Sequence, residues 1–210
     1  SDVCSSDLLG AGFDGGLPYT AWGRQVRDER KGNNSKDNPD ANCRPLGFMQ
    51  LHTHPYEKRI VQGNGSLVIM YNANNDVRHI LTNGQPLPVV NADLAPWYYG
   101  YSSGKWEGDT FVVASNGFME DSWLDQYGSP HSDEMRIEER YKLSDKDHLQ
   151  LTMTVVDPKA YTAPWVGDTK TFARVKNPSR SLTNDLREDL CVWSEVKSFF
   201  ERIDPTGVGG

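Results

Sequence analysis

A chain of 210 residues with 37% hydrophobic and 10% aromatic content can bury one substantial core, with length left over for a tail. Its net charge of −7, without a basic stripe or aromatic–basic interleaving, disfavours nucleic acid as a partner. No apolar run approaches the roughly 18 residues that a membrane-spanning helix needs, so no such span is expected.

Ser1–Leu8, reading SDVCSSDL, resembles the translated read-through of a sequencing adapter. It is expected to be a non-native leader, which leaves Cys4 without meaning and any export signal lost. Residues 9–47 form the expected amino-terminal arm. Within it, Ala21–Arg30 reads as a short amphipathic helix with Trp22 and Val26 four apart, and Gly32–Asp40 is rich in turn formers. Residues 48–176 hold the strands. Tyr56–Gln62 and Leu67–Tyr71 flank a hairpin turn at Gly63–Asn64–Gly65, and Asp76–Thr82 follows a second turn. Pro86, Pro88 and Pro96 mark an irregular crossing. Tyr98–Gly104 and Thr110–Asn116 are joined through Trp106–Asp109, and Phe118–Ser132 is a long polar and aromatic loop. Arg136–Leu143 and Leu149–Val156 form a strand pair, which Asp157–Pro158 ends because proline has no N–H to donate. Thr169–Val175 is the last expected strand. Residues 177–210 are a tail, partly helical, with Val192, Val196, Phe199 and Phe200 on one side of a helix within Leu186–Arg202. This antiparallel meander predicts an all-β fold. The expected form is a lipocalin-like (calycin-like) barrel or strongly curved sheet with a short N-terminal helix and a C-terminal tail.

The most informative residue is Glu139. Met135–Leu143 alternates apolar and polar, and Glu139 falls on the apolar face with Met135, Ile137, Tyr141 and Leu143. A carboxylate there must be paired, protonated or beside a wet cavity. Asp157 continues the apolar face of Leu149, Leu151, Met153 and Val155, so both acids could reach one interior and share acid–base work. The plainer reading is an ion pair of Glu139 with Arg78, Arg59 or Arg174, and of Asp157 as a turn starter before proline. Arg78 and His79 alternate, so one of them faces inward, and an inward Arg78 would suit Glu139 or an anionic ligand group.

His131, with Asp125 upstream, is a candidate base oriented by a carboxylate, although no nucleophile motif surrounds Ser122 or Ser132. The alternative is a loop histidine capping backbone groups. His52–Thr53–His54 would put two imidazoles on one side if extended, which is two ligands and not a metal site. Trp97, Tyr98, Tyr99, Tyr101, Trp106 and Trp123 make an aromatic-dense middle, either a pocket wall or core. Arg78, Tyr101, Trp106, Trp123 and Tyr141 are therefore the candidate ligand-binding set, beside Glu139, His131, Asp125 and Asp157 as candidate catalytic groups. Cys43 and Cys191 could be one disulfide or two separate thiols, and neither CxxC nor zinc spacing occurs.

Several motifs resemble those of a family of uncharacterised secreted bacterial proteins. They are Gly16–Tyr19, Asn42–Gly47, His54–Tyr56 with Ile60–Gln62, Gly100–Ser102 with Trp106–Thr110, and Trp123–Asp125 with Gly128 and Pro130–Ser132. Glu139–Tyr141 and Asp157–Thr162 with Pro164–Trp165 complete the set, over roughly residues 16 to 200. The resemblance implies export to a periplasmic or extracellular setting, which favours the disulfide. The chain departs at Val77–Arg78 and Asn83–Gly84–Gln85, where the family tends to have an aromatic before the arginine and Asp-Gly-Arg after the strand. The resulting expectation is an exported β-barrel that binds a small molecule and needs no metal or cofactor. The competing readings are an acid–base enzyme, hydrolase or lyase, and a structural or interaction module. Nothing in the sequence sets an oligomeric state.

Overall fold

The structure is a computed structural model that describes residues 16–34, 36–54, 56–90, 93–176, 186 and 190–203. The expected leader, most of the tail up to Leu190, and the side chains of Phe199 and Phe200 lie outside the described residues. The fold is mostly strands, as expected: β1 (Lys58–Gln62), β2 (Ser66–Tyr71), β3 (Val77–Leu81), β4 (Tyr101–Glu107), β5 (Thr110–Asn116), β6 (Arg136–Asp145), β7 (His148–Val156), β8 (Trp165–Val166) and β9 (Lys170–Ala173). Three short helices accompany them, α1 (Ala21–Gly32), α2 (Gln50–Thr53) and α3 (Trp193–Ile203).

One curled sheet contains all the strands in the order β1 to β8, with β9 also on β7. Thr154 and Val155 of β7 pair with β8, and His148–Leu151 pair with β9. The result is a half-barrel with an open seam, in which β1 and β9 pair on one side only among the described residues. The sheet is mixed, not the expected antiparallel meander, because β3 and β4 run parallel at Leu81 and Ser103. A parallel return needs a crossover of a dozen residues or more. The proline-punctuated stretch 82–100 supplies it.

Strand alternation places Ile69, Ile80, Val113, Ile137, Leu151 and Met153 on the inner face, all buried. The mouth of the curl is plugged by residues 46–53, whose Leu46, Phe48, Met49 and Leu51 join that core. Gly47 permits the plug to enter, since a Cβ there would lie 1.5 Å from the Trp123 carbonyl oxygen. Helix α1 begins at Thr20, whose hydroxyl accepts from the Gly23 amide at 3.1 Å. Its covered side is Gly23, Val26, Arg27 and Arg30, not the expected Trp22–Val26 pair. Gly23 sets this choice: the helix rides so close to the 157–162 turn that a Cβ would come within 2.3 Å of the Ala160 carbonyl. Arg27 and Arg30 then lie over the rings of Tyr19 and Trp123, at 5.8 and 4.9 Å.

A disulfide joins Cys43 to Cys191, with Cα atoms 5.4 Å apart across 148 residues of chain. In the chain-entropy account, closing a loop that long stabilises by about 5 kcal/mol. It holds the start of α3 against the amino-terminal arm, and Val196 is buried there.

Candidate functional site

Four neighbouring strands each place one polar side chain on the inner face: Arg78 on β3, Ser102 on β4, Ser115 on β5 and Glu139 on β6. Arg78 is 2% exposed and Glu139 is fully buried, while His79 faces out. Arg78 forks onto the carboxylate, Nη1 donating to Oε1 at 2.8 Å and Nη2 to Oε2. Its Nε and Nη2 also donate to Ser102 Oγ at 3.2 and 2.9 Å, and Nη2 to Ser115 Oγ at 2.9 Å. The Tyr141 hydroxyl donates to Glu139 Oε1 at 2.6 Å. His52 Nε2 stands 3.4 Å from that oxygen and 3.4 Å from the Tyr71 hydroxyl. Phe48 covers the guanidinium at 4.4 Å. The bidentate pairing and the hydroxyl partners meet the condition under which two charges can be buried at all.

These contacts fix the protonation states. Burial alone would raise the Glu139 carboxyl, but Arg78, then His52 and Tyr141, overcome it and hold the group below the usual carboxylate range. Burial drives His52 down to about 3 against the pull of Glu139. Burial, reinforced by Glu139, lifts the Tyr141 phenol well above its ordinary value. At neutral pH the centre is one ion pair with neutral imidazole and phenol partners.

The other predicted carboxylates serve backbone turns. Asp157 Oδ2 accepts from the Ser132 amide at 2.6 Å, and Oδ1 accepts from the Ser132 hydroxyl at 2.8 Å and from the Ala160 amide at 3.1 Å. It is the turn starter that the Asp-Pro pair allowed. It also stands four residues beyond Met153, the register partner of Glu139, so the two acids are about 13 Å apart along the strand. Asp125 accepts from the amides of Tyr127 and Ser129 at 2.9 and 3.0 Å and from the Ser129 hydroxyl at 2.6 Å. His131 takes neither acid. Its Nε2 meets the Ser122 hydroxyl at 2.7 Å and its Nδ1 the Ser132 carbonyl at 3.2 Å. Burial lowers its pKa. Glu139 and Asp125 thus stand in polar clusters of their own, and His131 and Asp157 are linked only through Ser132, so the four do not converge as one constellation.

The aromatic candidates are dispersed too. Trp123 is buried under Arg30. Trp106 is 64% exposed at the rim, beside Phe111. Tyr101 is half-buried and donates to the Ala95 carbonyl at 2.7 Å. His52 lies on α2 and His54 at its end, so the extended pair is not formed. Among the described residues no three His, Cys, Asp or Glu side chains gather as a metal set.

An open space lies elsewhere. The seam between β1 and β9 is a cleft of about 1050 Å³. Its walls carry inward Lys58 and Ile60 of β1, Leu143 of β6, Leu149 of β7 and Phe172 of β9, and His52, Ile69 and Tyr141 reach it from below. Lys58 Nζ spans the seam to lie 4.9 Å over the Phe172 ring. Of the predicted site residues, Tyr141 alone lines the cleft. His52 as a partner of Glu139, and Ser102 and Ser115 as partners of Arg78, escaped sequence reasoning. The two serines were legible in principle, since each shares strand parity with buried neighbours, Gly104 and Val113, on the inner face.

No family model matches the chain, and no curated protein or solved structure matches it.

Proposed function

We propose that the chain is an exported small-molecule-binding protein, lipocalin-like in plan and belonging with the secreted bacterial proteins whose motifs it resembles, and that the β1–β9 cleft is its binding site. The observation that carries this reading is the cleft itself. Its volume of about 1050 Å³ lies just above the range that small-molecule pockets occupy, roughly 300–1000 Å³. Its lining combines the apolar and aromatic side chains Ile60, Ile69, Leu149 and Phe172 with charged ones, and its base is formed by His52 and Tyr141, whose Nε2 and hydroxyl are engaged with Glu139. The Arg78–Glu139 pair lies directly beneath them and holds both in place, which is the preorganisation a binding site needs. The Cys43–Cys191 bridge is consistent with an oxidising compartment.

The acid–base reading has weaker support. A general acid or base works best with a pKa near the operating pH. Glu139 is held ionised and saturated by donors, and His52 is held neutral by a pKa of about 3. Both suit a fixed scaffold better than a proton shuttle.

The test is a fluorescence titration of the full chain, exported and oxidised, with N-phenyl-1-naphthylamine, a neutral probe that brightens in apolar surroundings. Saturable one-to-one binding is expected, weakened in Ile60→Trp and Leu143→Trp, which fill the cleft from exposed positions. Binding that ignores both substitutions, or no saturable binding, overturns the reading.

A further inference from the structure

Charge in the cleft runs against charge in the chain. The molecule carries −7 overall, yet the cleft is lined by the cations Lys58, Arg59, Lys146, Lys170 and Arg174 against the acids Glu57, Asp147 and Asp168. Strand parity sharpens the contrast. Lys58 is the register partner of Tyr71, and Lys170 that of Leu151, both buried inner-face residues, so the two lysines point into the curl. The inner face of β1, β2, β6, β7 and β9 carries one acid, Glu139, and Arg78 already neutralises it. Asp147 pairs with Lys176 at 3.9 Å. Lys58 has neutral partners: its ammonium donates to the carbonyls of His54 and Tyr56 at 3.3 and 3.2 Å and rests on Phe172.

We propose that the ligand of this cleft is an organic anion with an apolar body, whose carboxylate, sulfonate or phosphate group meets Lys58 while the body lies on Ile60, Ile69, Leu149 and Phe172. The proposal rests on the cleft being the ligand site and adds the chemical class. Burial costs an ammonium its hydration, and a ligand anion beside Lys58 supplies the counter-charge that carbonyls and a ring only approximate. Consistently, burial pushes the Lys58 amine down to about 8, despite the nearby Glu57. Lys170 and Arg174 give the same sign of potential along the β9 wall, which raises the local concentration of an anion and its rate of entry.

A matched pair of probes separates this from the parent reading. N-phenyl-1-naphthylamine and 1-anilinonaphthalene-8-sulfonate share one ring system and differ in the sulfonate. The anionic probe is expected to bind the oxidised full chain about tenfold more tightly, the sum of a few partly screened charge contacts. Lys58→Met and, independently, Lys170→Gln should each narrow that ratio, as should raised salt. Circular dichroism of both variants shows whether the fold is kept, and two sites on opposite walls leave the test standing if one variant misfolds. Equal affinity for the two probes, with both weakened by Leu143→Trp, overturns the anion preference and leaves the cleft as a binding site. Indifference of both probes to Leu143→Trp and Ile60→Trp overturns the cleft, and the preference with it.

Discussion

Glu139 and Asp157 are both buried carboxylates at the inward parity of neighbouring strands, and the molecule treats them in opposite ways. Glu139 sits mid-strand, where the backbone amides are already engaged in the sheet, so only side chains can stabilise it. It takes a guanidinium, a phenol and an imidazole. Asp157 sits just past the end of β7, where the chain turns and amides are free of ladder bonds, and it takes those of Ser132, Lys159 and Ala160. A buried acid is therefore no marker of chemistry by itself; the backbone around it decides whether it needs a cation. The sharpest test is to remove that cation's partner. Glu139→Gln leaves Arg78 buried without its counter-charge and should cost about 3–5 kcal/mol in urea unfolding. Arg78→Met with Glu139→Leu should cost less than either single change, because well-packed apolar groups can replace a buried pair at little net loss. Additive costs would show that the pair is not the unit that matters.

Acid should reach the strand-centred cluster in two stages. His52 has a folded pKa of about 3 against an ordinary 6.5, so the unfolded chain takes up the proton first as pH falls. The stability linked to neutral His52 is complete above about 6.5 and is lost between there and about 3. Glu139, whose folded pKa is also depressed, adds a second loss once pH drops below its ordinary 4.5. The combined fall is on the order of a few kcal/mol. His131, also lowered by burial, contributes to the first stage from the loop side. Unfolding free energies measured from pH 7 to 4 should flatten in His52→Phe, to a greater degree than the loop histidine can mask. An unchanged slope in that variant would mean that His52 is not the group being titrated.

Much of this was legible from periodicity. The inward placement of Glu139 followed from one alternating run; its partner did not, because Arg78, Arg59 and Arg174 all stood open and alternation alone leaves either Arg78 or His79 inward. Helix α1 was legible in extent, yet its buried face was not, since a close approach through Gly23 depends on the Ala160 turn, about 137 residues later. The parallel β3–β4 step was hidden for a similar reason: the prolines between 86 and 96 announce a crossing but say nothing of its direction. The cleft was hidden most deeply. It arises where two edge strands fail to meet, and no local pattern in Lys58–Gln62 or Lys170–Ala173 says that these strands are neighbours across a gap.

The smallest predicted effect tests the other half of the comparison. Asp157→Asn keeps one carbonyl oxygen that can still accept from Ser132 or Ala160, but it replaces the second acceptor with an amide that must face N–H or O–H donors. The loss is that of a charge-assisted acceptor, about 1–2 kcal/mol, and not that of an uncompensated charge, because no cation is left behind. Amide exchange should quicken at Ser132 and Ala160, while probe binding in the cleft and the acid profile of the Glu139 cluster stay as in the parent chain. A cost equal to that of Glu139→Gln would mean that the turn and the ion pair are one cooperative unit, and that the distinction between an acid held by backbone and an acid held by a cation does not describe this molecule.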